Sequence, residues 1–408
     1  MKKDFDFHRI FVLTGIISLA LIYLLLWLRM LTTKSEYDGA DFMGLYSAAR
    51  ISQEYGFPFI YDAEMQVDVQ SQLVGYPFPV EQTSYFTHPP FILLLVNLIS
   101  DENYTESLIR WMIILLLLNG ASVFILMKSV SALNLGRRSQ WILAISTFLF
   151  LPTFSGFING QDVILLLLGT SIWMFQLFGG KPFAAGLGLG LSVIRPQTAI
   201  LLTAPFLLNR RKVFWGAVLC SGTLGIISLA LIGPAGLQRY FNILGVVEGG
   251  MGHLPHSLDM PTISGMLRRT FGAMDRNLFR YVIWSGYLGG LTIIGILWRK
   301  SRQISEKHVG LLILGSLIVV PYAHYHELTI LLIPIFCLIR MLSAKRLVSN
   351  AWLAALPLVI SFVLMFGFVG EGHLKYILVY TIMFLLAYLL IFPHQINALT
   401  RLRRPAGA

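Results

Sequence analysis

The stretch from Ile10 to Leu31 reads IFVLTGIISLALIYLLLWLRML. It is a nearly unbroken apolar run with one arginine close to its end. An α-helix rises 1.5 Å per residue, so about 20 such residues cross the hydrocarbon core of a bilayer. Lys2, Lys3 and Arg9 precede the run, which is longer than the apolar core of a cleaved signal peptide, so it reads as a signal anchor. Working outward, comparable runs fall near 108–128, 140–158, 163–178, 278–298, 308–323, 351–369 and 374–392. The stretch 183–209 is interrupted by Arg195-Pro196 and counts as two helices. The run 213–233 follows Arg210, Arg211 and Lys212, and 328–341 completes a set of about twelve. The predicted fold is an all-α integral membrane protein, a single polytopic domain over 1–408.

Composition agrees. Of 408 residues 56% are hydrophobic and only 12% charged, and the mean hydropathy is +0.72, beyond what a soluble core requires. The formal charge of +11 lies in short clusters between apolar runs, where loop orientation accounts for it and no nucleic acid is implied. Cys220 and Cys337 both sit inside apolar runs, so no disulfide framework or cysteine metal site can be built from them.

The positive-inside rule sets the orientation. With both termini cytosolic, 20 of the 31 basic residues fall inside, while 17 of the 20 acidic residues lie outside or at outer helix ends. The segment 89–99 is too short to span, and counting it would invert every later loop. Residues 32–107 therefore read as one long outer loop carrying short juxtamembrane helices, and 234–277 as a second outer loop. Loops of that length are usually functional.

Several polar residues need a reason. Asp41 begins a segment of good helix propensity and reads either as an N-cap carboxylate or as a general base at the water–lipid boundary. Arg195 interrupts an apolar helix pair, where a guanidinium must face a polar cavity or pair with an anion; a phosphate and an acidic loop residue are the two alternatives. His324 and His326, followed by Glu327 and preceded by Tyr322, lie at the outer start of an apolar run. Their i, i+2 spacing would place them roughly 200° apart on a helix, which opposes a shared metal and leaves contact with a phosphate. Asn159-Gly160-Gln161-Asp162 opens another helix, as a cap or as amides for sugar hydroxyls. His253, His256, Arg268 and Arg269 lie in the second outer segment, facing solvent, headgroups or a donor phosphate. No Walker loop, dinucleotide-binding glycine pattern or His-Glu-x-x-His occurs.

Gly39-Ala40-Asp41-Phe42, Tyr46-Ser47-Ala48-Ala49, Ile60-Tyr61-Asp62, Phe86-Thr87-His88-Pro89-Pro90 and Asn159-Gly160-Gln161 follow one another on one predicted membrane face. In that order they resemble glycosyltransferase family 87, polyprenol-phosphate-sugar-dependent transferases of the GT-C superfamily. The resemblance implies a GT-C type fold, Asp41 as the catalytic base of an inverting transfer, and a lipid-phosphate sugar, often mannose, as donor. His88 stands where the family usually has Tyr, and Arg195 where a Lys is expected.

The resulting expectation places the donor phosphate near Arg195, His324, His326, Arg268 and Arg269. Tyr46, His88, Asn159, Gln161, Gln197, Tyr322 and Glu327 would contact sugar or acceptor. No metal, nucleotide or other cofactor is called for, because a lipid phosphate is a competent leaving group once its charge is matched. Partners are the polyprenyl-phosphate sugar, a lipid or glycan acceptor and membrane lipids, at a bacterial inner membrane. A transporter or flippase for a lipid-linked glycan is the alternative; it predicts internal repeats and polar residues through the midplane. An assembly scaffold for envelope glycan synthesis is a third.

Overall fold

The computed structural model describes residues 7–33, 41–131, 133, 135–248, 260–272, 275–299, 301, 303–345, 348–369 and 374–393. The described residues are mostly helical, with no strand among them. In chain order the helices are α1 (Phe7–Thr32), α2 (Phe42–Glu54), α3 (Ala63–Val74), α4 (Leu93–Val96), α5 (Tyr104–Ser129), α6 (Arg137–Phe148), α7 (Leu151–Ile158), α8 (Val163–Phe178), α9 (Pro182–Gly190), α10 (Pro196–Thr203), α11 (Pro205–Asn209), α12 (Arg211–Glu248), α13 (Ile263–Phe271), α14 (Arg276–Arg299), α15 (Glu306–Val319), α16 (Leu332–Ala344), α17 (Asn350–Val369) and α18 (Leu374–Ile391). Short 3-10 turns precede α4 (Pro90–Ile92), α10 (Leu191–Ile194) and α16 (Tyr325–Leu331).

Among the described residues six helices are long and apolar enough to cross a membrane: Ile10–Thr32, Tyr104–Ser129, Arg211–Val247, Asn277–Arg299, Tyr325–Ala344 and Leu374–Ile391. The pair α6 and α7, bent by 41°, makes a seventh if the two cross as one span. The chain is a multi-pass membrane protein. Length and composition thus support fewer spans than the twelve expected, because the other apolar runs form shorter or broken helices. These include Val163–Phe178, Pro182–Ile194 and Asn350–Phe366, and the run expected over 308–323 ends its helix at Val319. Outward-facing side chains such as Leu25, Leu117 and Ile226 are about two-thirds exposed, as lipid-facing positions are in a protein taken without its bilayer.

The second outer segment also differs from expectation. Helix α12 continues past 233 to Glu248, broken only at Gly233 (φ 62°, ψ −173°) just before Pro234. A Gly-Pro pair reads as a stop in the sequence, but here it kinks the helix. Residues 263–271 and 276–299 are again helical. His253 and His256 lie outside the described residues.

Small residues bring helices together where apolar burial alone does not drive association. A Cβ at Gly186 of α9 would come within 2.1 Å of the Val213 carbonyl oxygen on α12, and one at Gly190 within 2.5 Å of Cys220 Cβ. Helix α1 packs at the margin through Tyr23, whose hydroxyl donates to the Leu149 carbonyl at 3.0 Å while its ring stacks on Phe154 at 3.8 Å.

Candidate functional site

The site begins with a clamp in the first outer segment. Gln66 and Gln70 lie one turn apart on α3, face inward and are fully buried. Gln70 exchanges two hydrogen bonds with the Ser84 backbone, both at 3.0 Å, and Gln66 accepts from Phe86 N at 2.7 Å. These amides hold 84–86 extended by replacing a strand partner. The Tyr61 hydroxyl donates to the His88 carbonyl at 2.6 Å, and Pro89-Pro90 keeps the chain extended before the short α4. His88 is thereby fixed from both sides.

The turn between α7 and α8 supplies the second wall. Gly160 has φ +67°, and a Cβ there would sit 2.7 Å from Phe42 Cβ, so only glycine permits this contact. Trp111 Nε1 donates to the Gly160 carbonyl at 2.7 Å, and Phe42 N donates to the Asn159 carbonyl at 3.1 Å. The turn is thus pinned to α5 and to the start of α2. Asp162, next in line, is fully buried and makes no side-chain cap for α8. Its carboxylate turns toward the third wall.

There Pro196 interrupts the helical run and leaves Arg195 non-helical (φ −124°, ψ 84°). The Arg195 side chain, 10% exposed, is the hub. Its Nε donates to Glu327 Oε1 at 2.9 Å. Its Nη1 donates to His88 Nδ1 at 2.9 Å and to the Ile194 carbonyl at 3.3 Å. Its Nη2 donates to Gln161 Oε1 at 3.2 Å and lies 2.9 Å from Asp162 Oδ1. His88 Nδ1 is also 2.8 Å from Asp162 Oδ2. Burial by itself would favour the neutral acid at Asp162, but the adjacent Arg195 guanidinium outweighs it and holds the carboxyl below the usual carboxylate range.

The fourth wall is 324–327. His324 is extended (φ −95°, ψ 176°) and precedes the 3-10 turn, so the 200° divergence expected from helical spacing does not occur. Instead the rings of His324 and His326 stack with centroids 5.5 Å apart. Glu327 Oε2 accepts from His324 N and lies 3.5 Å from His326 Nε2. Both Glu327 oxygens are therefore engaged within the protein. Thr329 shares a 2.5 Å hydrogen bond with Thr153 of α7, tying this wall to the second.

Asp41 stands at the edge. It precedes α2 in αR geometry and its side chain makes no cap hydrogen bond, so the capping alternative is not the arrangement adopted. The residue is partly exposed, and its charge acts on His326. Among the described residues no hydrogen bond or ion pair occupies its carboxylate.

The structure brings His88, Gln161, Arg195, His326 and Glu327 into one cluster, with Asp41, Asn159 and His324 around it. Arg195 is held by acidic protein side chains, the second of the alternatives open to it, and all its N–H groups are engaged. Tyr46 is elsewhere engaged: its buried hydroxyl donates to the Asp101 carbonyl at 2.7 Å, anchoring α2 instead of facing a ligand. Gln197 is half-buried beside the Arg195 break, and its carbonyl accepts from Tyr287. Tyr322 is 41% exposed. Arg268 stacks on Phe279, while Arg269 donates to the Met260 carbonyl and the Tyr380 hydroxyl. These contacts lie outside the Arg195 cluster, although Ser264 of their helix donates to the Pro321 carbonyl at 2.6 Å, beside the fourth wall. Asp162 is the cluster member that the set of expected site residues lacks; the signal for it was a carboxylate directly before an apolar run.

The pattern of Glycosyltransferase family 87 matches residues 86–323, more than half of the chain. The chain belongs to glycosyltransferase family 87. No curated protein and no solved structure compared with it gives a significant match. The family match includes His88, Asn159, Gln161, Asp162 and Arg195, while Asp41 and His324–Glu327 flank it on either side. A membrane glycosyltransferase is therefore the activity against which the buried cluster is read.

Proposed function

We propose that the chain transfers a hexose, with mannose the first choice, from a polyprenyl-phosphate donor to a hydroxyl of a lipid or glycan on the non-cytosolic face. Asp41 is the base. The single observation that carries this reading is its carboxylate, partly exposed, uncommitted to a cap or ion pair, and beside a buried polar cluster in an otherwise apolar protein. A base must reach the hydroxyl it deprotonates and must not be tied up by its own backbone.

In this mechanism the acceptor hydroxyl gives its proton to Asp41 as its oxygen bonds to the anomeric carbon. The bond from that carbon to the phosphate oxygen breaks, and the configuration inverts. The leaving phosphate takes the electron pair and needs positive or donor groups around it. Arg195 has no N–H to spare in this arrangement, so direct contact falls to the imidazole edge formed by His324 and His326. Arg268 and Arg269 lie on the helix tied to that edge. The polyprenyl tail lies along lipid-facing helices.

The test uses the purified full chain in lipid nanodiscs with labelled polyprenyl-phosphate mannose and candidate lipid and glycan acceptors. Formation of a mannosylated product that is lost in Asp41→Asn supports the reading. Donor binding without transfer to any acceptor would favour a carrier, and normal turnover by Asp41→Asn would remove the base assignment.

A further inference from the structure

Arg195 presents a problem that its own geometry resolves. A guanidinium has only donors; here four hydrogen bonds hold it within the protein, and Nη2 also lies against Asp162 Oδ1 at 2.9 Å as an ion pair. It therefore reaches a ligand only through a neighbour. Of its neighbours, Glu327 and Asp162 are acceptors, Gln161 is held by its oxygen, and Ile194 contributes a carbonyl. His88 alone is a ring with a second nitrogen on the far side.

The bond from Arg195 Nη1 to His88 Nδ1, 2.9 Å long, requires that Nδ1 be bare, since an Nδ1–H would confront another donor. Asp162 Oδ2 lies close to the same nitrogen, at 2.8 Å, yet no hydrogen bond of acceptable direction reaches that oxygen, so a proton on Nδ1 would not be aimed at it. The imidazole proton is then on Nε2. His88 is 22% exposed, and Nε2 has no hydrogen-bond partner among the described residues. A guanidinium donating to one ring nitrogen polarises the ring and strengthens donation from the other.

The charge inventory says what that donor would meet. Asp162, Glu327 and Asp41 face one guanidinium across the cluster. Beside His88 the carboxylates of Asp162 and Glu327 outnumber the one guanidinium, which opposes a phosphate there and admits an uncharged oxygen. We infer that His88 donates Nε2–H to a hydroxyl or ring oxygen of the transferred hexose, and that Arg195 is the positioning residue that fixes this tautomer. The inference rests on the proposed transfer reading and makes the His88 side of the Arg195 cluster the sugar subsite, apart from the phosphate contact at its His324–His326 edge.

The experiment compares His88→Gln, whose amide can reproduce a donor near the Nε2 position, with His88→Asn, which reproduces only the Nδ1 position. Affinity is measured for polyprenyl-phosphate mannose and for sugar-free polyprenyl phosphate. The mannose-bearing donor should bind about tenfold more weakly to His88→Asn than to His88→Gln, the worth of one hydrogen bond. The sugar-free lipid should bind both alike. Nitrogen-15 spectra of the wild-type chain, with His88 assigned by its loss in the variants, should show Nε2 protonated. Equal losses for both lipids, an Asn variant as good as the Gln variant, or a proton on Nδ1 would each overturn the inference. If the wild type binds neither lipid, the transfer reading fails first, and the spectra still judge the tautomer.

Discussion

At the scale of single residues, the cluster around Arg195 sets stability and chemistry against each other. Removing one partner of a buried ion pair leaves the other charge unsolvated, at a cost of about 3–5 kcal/mol. Arg195→Ala strands both Asp162 and Glu327, so it should lower the thermal unfolding midpoint of the purified protein clearly and weaken donor binding as well. Weak donor binding with an unchanged midpoint would mean that Arg195 serves the ligand alone. Asp41→Asn is the opposite case. Its carboxylate supports nothing else among the described residues, so transfer should fall by 100-fold or more, within the range attributed to a positioned base, while the midpoint stays within about a degree. Arg195 itself could be picked out of the sequence, because a guanidinium in an apolar run has to be explained. Gln161, His88 and Glu327 also stand out in the sequence, but as sugar or acceptor contacts and not as partners of Arg195. They lie 34, 107 and 132 residues away from it, and no local pattern encodes contacts at those separations.

At the scale of elements, short irregular pieces do the positioning and long helices do the holding. Gly160 is the joint between them, since its left-handed backbone lets the Asn159–Asp162 turn touch Phe42 and so sets Asp41 against the cluster. Gly160→Ala must bear roughly 1–2 kcal/mol of backbone strain plus a clash with Phe42. Transfer should drop by more than tenfold even where the variant still inserts and stays folded, and a fully active Gly160→Ala would show that the turn does not govern the site. Gly186 is the corresponding joint between α9 and α12. Gly186→Leu should separate those helices and reduce recovery of folded protein from mild detergent, measured by gel filtration, whereas the same change at Gly222, which faces open space, should not. The apolar runs told where helices lie but not where they break. The kink at Gly233 passed for an end, and the 3-10 turns before α10 and α16 were invisible because hydrophobic periodicity cannot separate a broken helix from a whole one.

At the scale of the whole molecule, the structure offers an internal check on orientation. If the chain alternates across the membrane twelve times, counting the short helices α8 to α11, α15 and α17 as crossings or parts of crossings, then Asp41, His88, Asn159–Asp162, Arg195 and His324–Glu327 all fall at one pole. They touch one another. Ser129, Phe178, Glu306 and Arg340 should fall at the other pole. There Arg340 pairs with Glu306 at 3.1 Å, donates to the Ser129 carbonyl and stacks on Phe178 at 4.6 Å. Omitting α8, α9, the α10–α11 pair or α15 from that alternation would put some of these touching residues on opposite sides of the bilayer. These contacts agree with that alternation as far as α16, and on the proposed orientation the excess of Lys and Arg puts the Arg340 pole in the cytosol. The claim is open to labelling with a membrane-impermeant maleimide in intact cells, against the background of Cys220 and Cys337. Glu102→Cys, in the first outer segment, should be labelled without permeabilisation, and Arg138→Cys, at the start of α6, only after it. Labelling of Arg138→Cys in intact cells together with protection of Glu102→Cys would invert the protein and place the sugar-transfer cluster on the cytosolic side. A donor made on the cytosolic leaflet could then be used without being flipped.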